Sequence, residues 1–101
     1  MIRKLIATIF AASLGIAGTA QAAGDAAAGK AKAEMCASCH GAKGEGIAPN
    51  PPLAGKPEAE QIKALKDYKS GSRPNPIMNG MAATLSDQDM ENLAAYYSSL
   101  K

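Results

Sequence analysis

The chain has 101 residues, 47% hydrophobic and 20% charged, with aromatics at only 4% and no Trp. That length holds one domain, and two Cys with one His exclude a Cys₄ or Cys₂His₂ zinc site and a multi-disulfide scaffold. A net charge of +2 lacks the basic excess that nucleic-acid binding requires.

The first element is a targeting segment. Met1-Ile2-Arg3-Lys4 is basic, Leu5 to about Ala20 is apolar, and Ala20-Gln21-Ala22 ends the run in small residues. Those are the three parts of a secretory signal peptide. The apolar run is interrupted by Thr8, Ser13, Gly15 and Gly18, and falls short of the ~20 residues a membrane span needs. Cleavage after Ala22 is predicted, making 1–22 the signal and 23–101 the working domain, delivered to the periplasm. Arg3 and Lys4 leave with the signal, so the remaining 79 residues carry nine basic and nine acidic side chains.

Those 79 residues lack core volume. They contain neither Phe nor Trp, and much of the apolar count is Ala, which buries little area per residue. Domains this small commonly need a staple.

Asp25 is a suitable N-cap for a helix from Ala26 to about Ala37. Gly29 inside it costs about 1 kcal/mol of helix propensity, a glycine that can mark the close approach of another element. At its end stands Cys36-Ala37-Ser38-Cys39-His40. C-x-x-C-H is the attachment motif of c-type haem. Two thiols at this spacing add across the two vinyl groups on one porphyrin edge, and the adjacent His offers Nε2 to the iron. A covalent haem would also fill the deficient core. A thioredoxin-type C-x-x-C prefers a helix start after a strand, and no βαβ pattern occurs here. A zinc site would lack a fourth Cys or His, and a disulfide would leave the core deficit unexplained.

Gly41 to Pro57 is punctuated by four Gly and four Pro, and reads as loop. Pro57 suits the first turn of a second helix, about Glu58 to Ser70, with Ile62 and Leu65 as its buried stripe and Gly71 closing it. Its basic residues Lys63, Lys66 and Lys69, with Lys56 and Arg73 flanking, are offset by Glu58, Glu60 and Asp67 and read as a solvated face. Ser72 to Pro76 reads as a stiff loop, continuing through Ile77-Met78-Asn79-Gly80-Met81. The last helix is the best marked: Ser86 as N-cap, Asp89 at N3, and Leu85 with Met90 as a hydrophobic staple. Met90, Leu93, Ala94, Tyr97 and Leu100 follow at helical spacing. The fold class is all-α, three main helices joined by long Gly/Pro loops that a haem could order.

His40 is the one His, so a second axial ligand from this chain must be another soft donor, and Met is available. Met35 adjoins Cys36 and cannot easily reach the opposite haem face, and Met90 fits core packing. Met78 and Met81 remain, and spacing alone does not choose between them.

The combination Cys36-Ala37-Ser38-Cys39-His40-Gly41, Pro51-Pro52-Leu53-Ala54-Gly55, Met78-Asn79-Gly80-Met81, Leu85-Ser86-Asp87 and Leu93-Ala94-Ala95-Tyr96 resembles bacterial class I cytochromes c. It is most similar to the c5/c553 type and to one half of the dihaem cytochrome c4 type. The resemblance spans nearly all of 23–101 and implies the class I fold around one covalent haem c. One departure stands out: cytochrome c4 has two haem domains, and this sequence has one motif. The resemblance implies Met78 as distal ligand, seven residues before Leu85, and a Pro51 carbonyl against the proximal His40 Nδ1–H. It implies that Gly29 is where the first and last helices cross, against Leu93 and Tyr96. The haem-binding set is then Cys36, Cys39, His40, Pro51, Leu53, Met78 and Met81, with His40 and Met78 on the metal.

A His/Met-ligated haem has no open site for substrate, and its thioether ligand raises the potential. The expected function is therefore a non-enzymatic, monomeric one-electron carrier between redox protein partners, one donor and one acceptor, with no nucleic acid and no stable membrane insertion after cleavage. The alternatives are an electron-input subunit of a larger redox complex, and a gas-binding or peroxidatic haem protein in which Met78 dissociates readily.

Overall fold

The computed structural model describes Gly24 to Leu100, and the expected signal peptide and its cleavage site lie outside the described residues. Those residues form five helices and no strand: α1 (Ala26–Lys32), α2 (Glu34–His40), α3 (Glu58–Ser70), α4 (Pro76–Ala83) and α5 (Asp87–Ser99). None is long and apolar enough to cross a membrane.

Asp25 caps α1 as expected, its carboxylate accepting from the Ala27 and Ala28 amides. The single first helix is corrected to two. Ala33 turns at φ −66°, ψ −12°, its carbonyl accepts a short-range bond from the Cys36 amide at 2.8 Å, and α2 then runs on to His40. Its methyl is buried in the core, so packing holds the tightened turn there.

α3 has the expected bounds. Pro57 sits at its N-cap, and Gly71 closes it in the left-handed region at φ +88°. The expected stripe of Ile62 and Leu65 is half-buried, and Gln61 is the buried residue of this helix. Leu65, with Gln61, Ala64 and Tyr68, fronts a cavity rather than a second layer of side chains.

The segment expected to be loop from Ser72 through Met81 is corrected to helix from Pro76 onward. Asn75 accepts from the Met78 amide at 3.1 Å, and Pro76 starts the first turn with its φ already fixed for helix. Before α5, Ser86 and Asp89 form the reciprocal capping box, at 3.0 and 2.9 Å.

α1 crosses α5, and α3 packs against both α4 and α5. The crossing is set by Gly29: a Cβ there would overlap the Asn92 carbonyl and lie 2.9 Å from Tyr96 Cβ. The contact falls on Asn92 and Tyr96, while Leu93 turns inward to the core with Ala33, Leu85, Met90 and Tyr97. Leu85 and Met90 are both buried, as a staple requires. This cluster is small, and the cavity beside it takes the place of a larger one.

Candidate functional site

The cavity has a volume of about 420 Å³, within the usual range of small-molecule and cofactor sites. α2 presents Met35, Cys36, Cys39 and His40 to it, and the following loop adds Pro51, Pro52 and Leu53. α3 contributes Gln61, Ala64, Leu65 and Tyr68, α4 contributes Ile77, Met78 and Met81, and α5 contributes Leu93 and Tyr97. All seven residues expected to bind the cofactor therefore line one cavity.

The geometry of His40 follows from its surroundings. Its ring is buried, and Nδ1 lies 2.8 Å from the Pro51 carbonyl oxygen. A carbonyl can only accept, so Nδ1 carries the proton and Nε2 keeps its lone pair. The loop that supplies the carbonyl is tied back to α2: Gly46 N–H donates to the His40 carbonyl at 2.6 Å, and Asn50 donates to the Cys39 carbonyl at 2.8 Å. Leu53 and Ala54 amides both reach the Gly44 carbonyl, at 2.7 and 3.0 Å.

The two thiols differ. Cys39 is exposed, whereas Cys36 packs against the core, and burial pushes its thiol above the ordinary range. Neither is in a disulfide. Among the described residues, no three His, Cys, Asp or Glu side chains gather as a metal cluster, so Cys36, Cys39 and His40 do not converge as a zinc site would require. The pair instead lines a mainly apolar space beside an imidazole with a free Nε2. This donor set and this space fit a covalently attached haem.

The methionines are held by α4 and by what fastens it. Asn79 donates to the Tyr68 carbonyl at 2.8 Å and the Arg73 carbonyl at 3.1 Å, while its own Oδ1 accepts from the Asn75 amide at 3.0 Å. Lys69 ammonium donates to the Leu85 carbonyl from the other end. Of the basic face on α3, Lys63 pairs with Asp67 at 2.7 Å in a solvated position, as expected. Lys56 and Arg73 instead border the cavity, and Arg73 stacks on the Tyr68 ring at 4.9 Å.

Sequence reasoning missed Asn79, Gln61 and the placement of Tyr97. Gln61 donates to the Lys56 carbonyl at 2.8 Å and anchors the loop before α3. For Asn79 a signal existed in Asn75-Pro76, a cap followed by an N1 proline, which places Asn79 one turn on. For Gln61 and the Tyr97 hydroxyl no local signal exists.

A family model described as cytochrome c matches residues 26–101. Cytochrome c4 of Pseudomonas aeruginosa is 51% identical over 90 residues, covering 88% of this chain and 45% of that protein. Cytochrome c-554(548) of Halomonas halodenitrificans is 44% identical over 81 residues, 76% of this chain and 98% of its own length. The crystal structure of reduced recombinant cytochrome c4 from Pseudomonas stutzeri superposes with a TM-score of 0.73 at 46% identity, over 78% of this chain and 47% of that one. The chain spans about half the length of the cytochromes c4 it matches. With its single pair of cysteines placed for one attachment, the chain belongs to the cytochrome c family, electron-transfer proteins that carry haem c covalently.

Proposed function

We propose that this protein is a periplasmic one-electron carrier in which Cys36 and Cys39 tether one haem c and His40 and Met78 are its axial ligands. The observation that carries the reading is the 2.8 Å contact of His40 Nδ1 with the Pro51 carbonyl, which leaves Nε2 as a fixed, basic donor in the wall of the cavity. When bound, the haem supplies a one-electron couple whose potential a thioether ligand raises.

The chain's own residues do the rest. Cys36 and Cys39 fix the group covalently, so nothing is exchanged between turnovers. The Pro51 carbonyl holds the His40 ring in one orientation. Asn75, Asn79 and Lys69 fasten the helix carrying Met78 and Met81. Leu53, Leu65, Leu93 and Tyr97 exclude water from the cavity wall. Lys56 and Arg73 offer positive charge at its border to any acidic groups of the occupant. Held by both His40 and Met78, the group would offer no position for a substrate and would supply electron transfer without catalysis.

Met78 and Met81 both line the cavity. The choice of Met78 rests on its place seven residues before Leu85, as in the class I family. The test is the optical spectrum of the protein matured in a periplasm, oxidised and reduced, with and without carbon monoxide. A low-spin spectrum with the far-red band of ferric iron bound to thioether sulfur and no carbon monoxide binding is expected. That band is lost in Met78→Ala and kept in Met81→Ala. A high-spin or carbon monoxide-binding wild type would replace the carrier with a gas-binding or peroxidatic protein, and loss of the band in Met81→Ala alone would move the ligand. A catalytic partner retained stoichiometrically through purification would make the chain a subunit of a larger redox enzyme.

A further inference from the structure

Gln61 is a polar side chain shut away from water: it is 7% exposed and lines the cavity from α3. A primary amide offers two N–H donors and an oxygen that accepts. One donor is accounted for, because Nε2 lies 2.8 Å from the Lys56 carbonyl oxygen, an atom that can only accept. That contact also fixes which end of the amide is nitrogen. Among the described residues, neither the second N–H nor the Gln61 Oε1 has a hydrogen-bond partner.

Buried amide groups left unpaired are costly, and in native proteins they nearly always find a partner. Here that partner must come from what fills the cavity. The charged side chains lining it, Lys56, Glu60 and Arg73, all belong to α3 or its flanks, so Gln61 stands on the polar side of a mainly apolar space. Lys56 is half-buried there, and Arg73 is held over the Tyr68 ring at 4.9 Å. A haem attached through Cys36 and Cys39 has spent its vinyl groups on the thiols and its ring nitrogens on the iron. The hydrogen-bonding groups left to it are its two propionate carboxylates.

We propose that the second Gln61 amide N–H donates to a propionate carboxylate of the haem, and that through this bond Gln61 raises the reduction potential. The proposal rests on the reading of the cavity as a haem c site. An ionised carboxylate only accepts, and an N–H bonded to a charged oxygen makes the stronger kind of hydrogen bond. Burial strengthens it further, since water does not compete. Reduction places one more electron on the haem, beside a negative carboxylate. A donor that draws charge off that carboxylate eases the repulsion and favours the reduced state. Lys56 and Arg73, lining the same side, keep the carboxyl group ionised and work in the same sense. Glu60 opposes them, but it is exposed and its charge is screened by water. In the protonated acid the O–H would donate to Gln61 Oε1 instead, so one amide serves the group in either state. Gln61 thus tunes the iron through the periphery of the ring.

The test has two parts, both on the holoprotein. In the reduced wild type, a nuclear Overhauser contact is expected between the Gln61 Nε2 protons and a propionate methylene, and its absence overturns the proposal. In spectroelectrochemical titration at neutral pH, Gln61→Leu is expected to show a lower midpoint potential with its haem absorption bands in place. Gln88→Leu, which removes an exposed amide on α5, leaves the potential unchanged. A role confined to the Lys56 carbonyl would cost stability at an unaltered potential, and a Gln61→Leu potential equal to the wild type's overturns the proposal. Should that variant fail to accumulate, the Overhauser contact in the wild type decides alone. The haem c reading fails separately, through an alkaline pyridine spectrum that reports unreacted vinyl groups.

Discussion

His40 Nδ1 and the Pro51 carbonyl oxygen meet at 2.8 Å across eleven residues of chain. Neither residue could hold this contact by itself, because the intervening backbone forms no regular element. It is held by local bonds: Gly46 N–H to the His40 carbonyl, the Asn50 side chain to the Cys39 carbonyl, and Leu53 and Ala54 to Gly44. The imidazole is thereby oriented by a loop that folds back onto the helix carrying it.

At Gly46 that loop passes close against its own backbone. The φ of Gly46 is +92°, and an added Cβ would lie 2.9 Å from the Pro52 nitrogen. Gly46→Ala therefore combines left-handed strain with a push on the residue after Pro51, and a loss of about 1–3 kcal/mol is expected. Guanidinium unfolding of the holoprotein measures it. Because the Pro51 carbonyl moves with Pro52, the reduction potential is expected to change as well.

Two helical glycines take the same substitution with opposite sign. At Gly80 nothing lies within 4 Å of an added Cβ, so Ala adds helix propensity and stabilises by roughly 0.5–1 kcal/mol. At Gly29 the same gain is outweighed, because the methyl would overlap the rigid Asn92 carbonyl and press on Tyr96 Cβ. Forcing α1 away from α5 costs about 1–3 kcal/mol net. Denaturant midpoints of Gly29→Ala and Gly80→Ala, measured side by side, must move in opposite directions.

These two glycines show what could be read in the sequence and what could not. Gly29 was legible as a crossing point only through the family's pattern, since helix propensity alone makes it a defect. The cap at Asp25, the bounds of α3 and the Ser86–Asp89 box were legible because they are local bonds between residues two to three apart. The seven site residues were legible because their chemistry is in a motif or its family spacing, and they do line one cavity. What was hidden depends on distant partners. The break at Ala33 follows from burial against Leu85 and Leu93, and α4 is fastened by Asn79 to carbonyls on and beyond α3. Gly80 and the surrounding prolines masked that helix, while tertiary bonds stabilise it. Gln61 is buried because its amide serves the Lys56 carbonyl, which no periodicity announces.

Asn79 uses three hydrogen bonds to fasten α4. Asn79→Ala leaves the Tyr68 and Arg73 carbonyls without their amide partner, and a loss of about 1–3 kcal/mol is expected. If Met78 is the distal ligand, the same variant loosens its helix, and the reduced protein gains carbon monoxide binding that the wild type lacks. Asn79→Asp, which keeps the acceptor for the Asn75 amide and loses both donors, is expected to resemble the alanine variant rather than the wild type.

Tyr97 also sets how the protein meets alkali. Burial first, with the neighbouring Cys36 adding to it, holds its phenol well above the ordinary value. In the unfolded chain the phenol ionises near pH 10. Below that pH both states keep the proton, and the contribution of Tyr97 to stability is fully present. Above it the unfolded chain loses the proton while the folded one retains it, so the unfolded state binds fewer protons and stability falls as pH rises. The limiting slope for one such group is about 1.4 kcal/mol per pH unit. Unfolding midpoints of the holoprotein between pH 8 and 12 are therefore expected to hold level to about pH 10 and then decline. Other groups titrate in the same window, so the difference between wild type and Tyr97→Phe isolates the phenol. The variant's curve is expected to run flatter above pH 10, and two parallel curves would mean that Tyr97 ionises in the folded protein as it does in water.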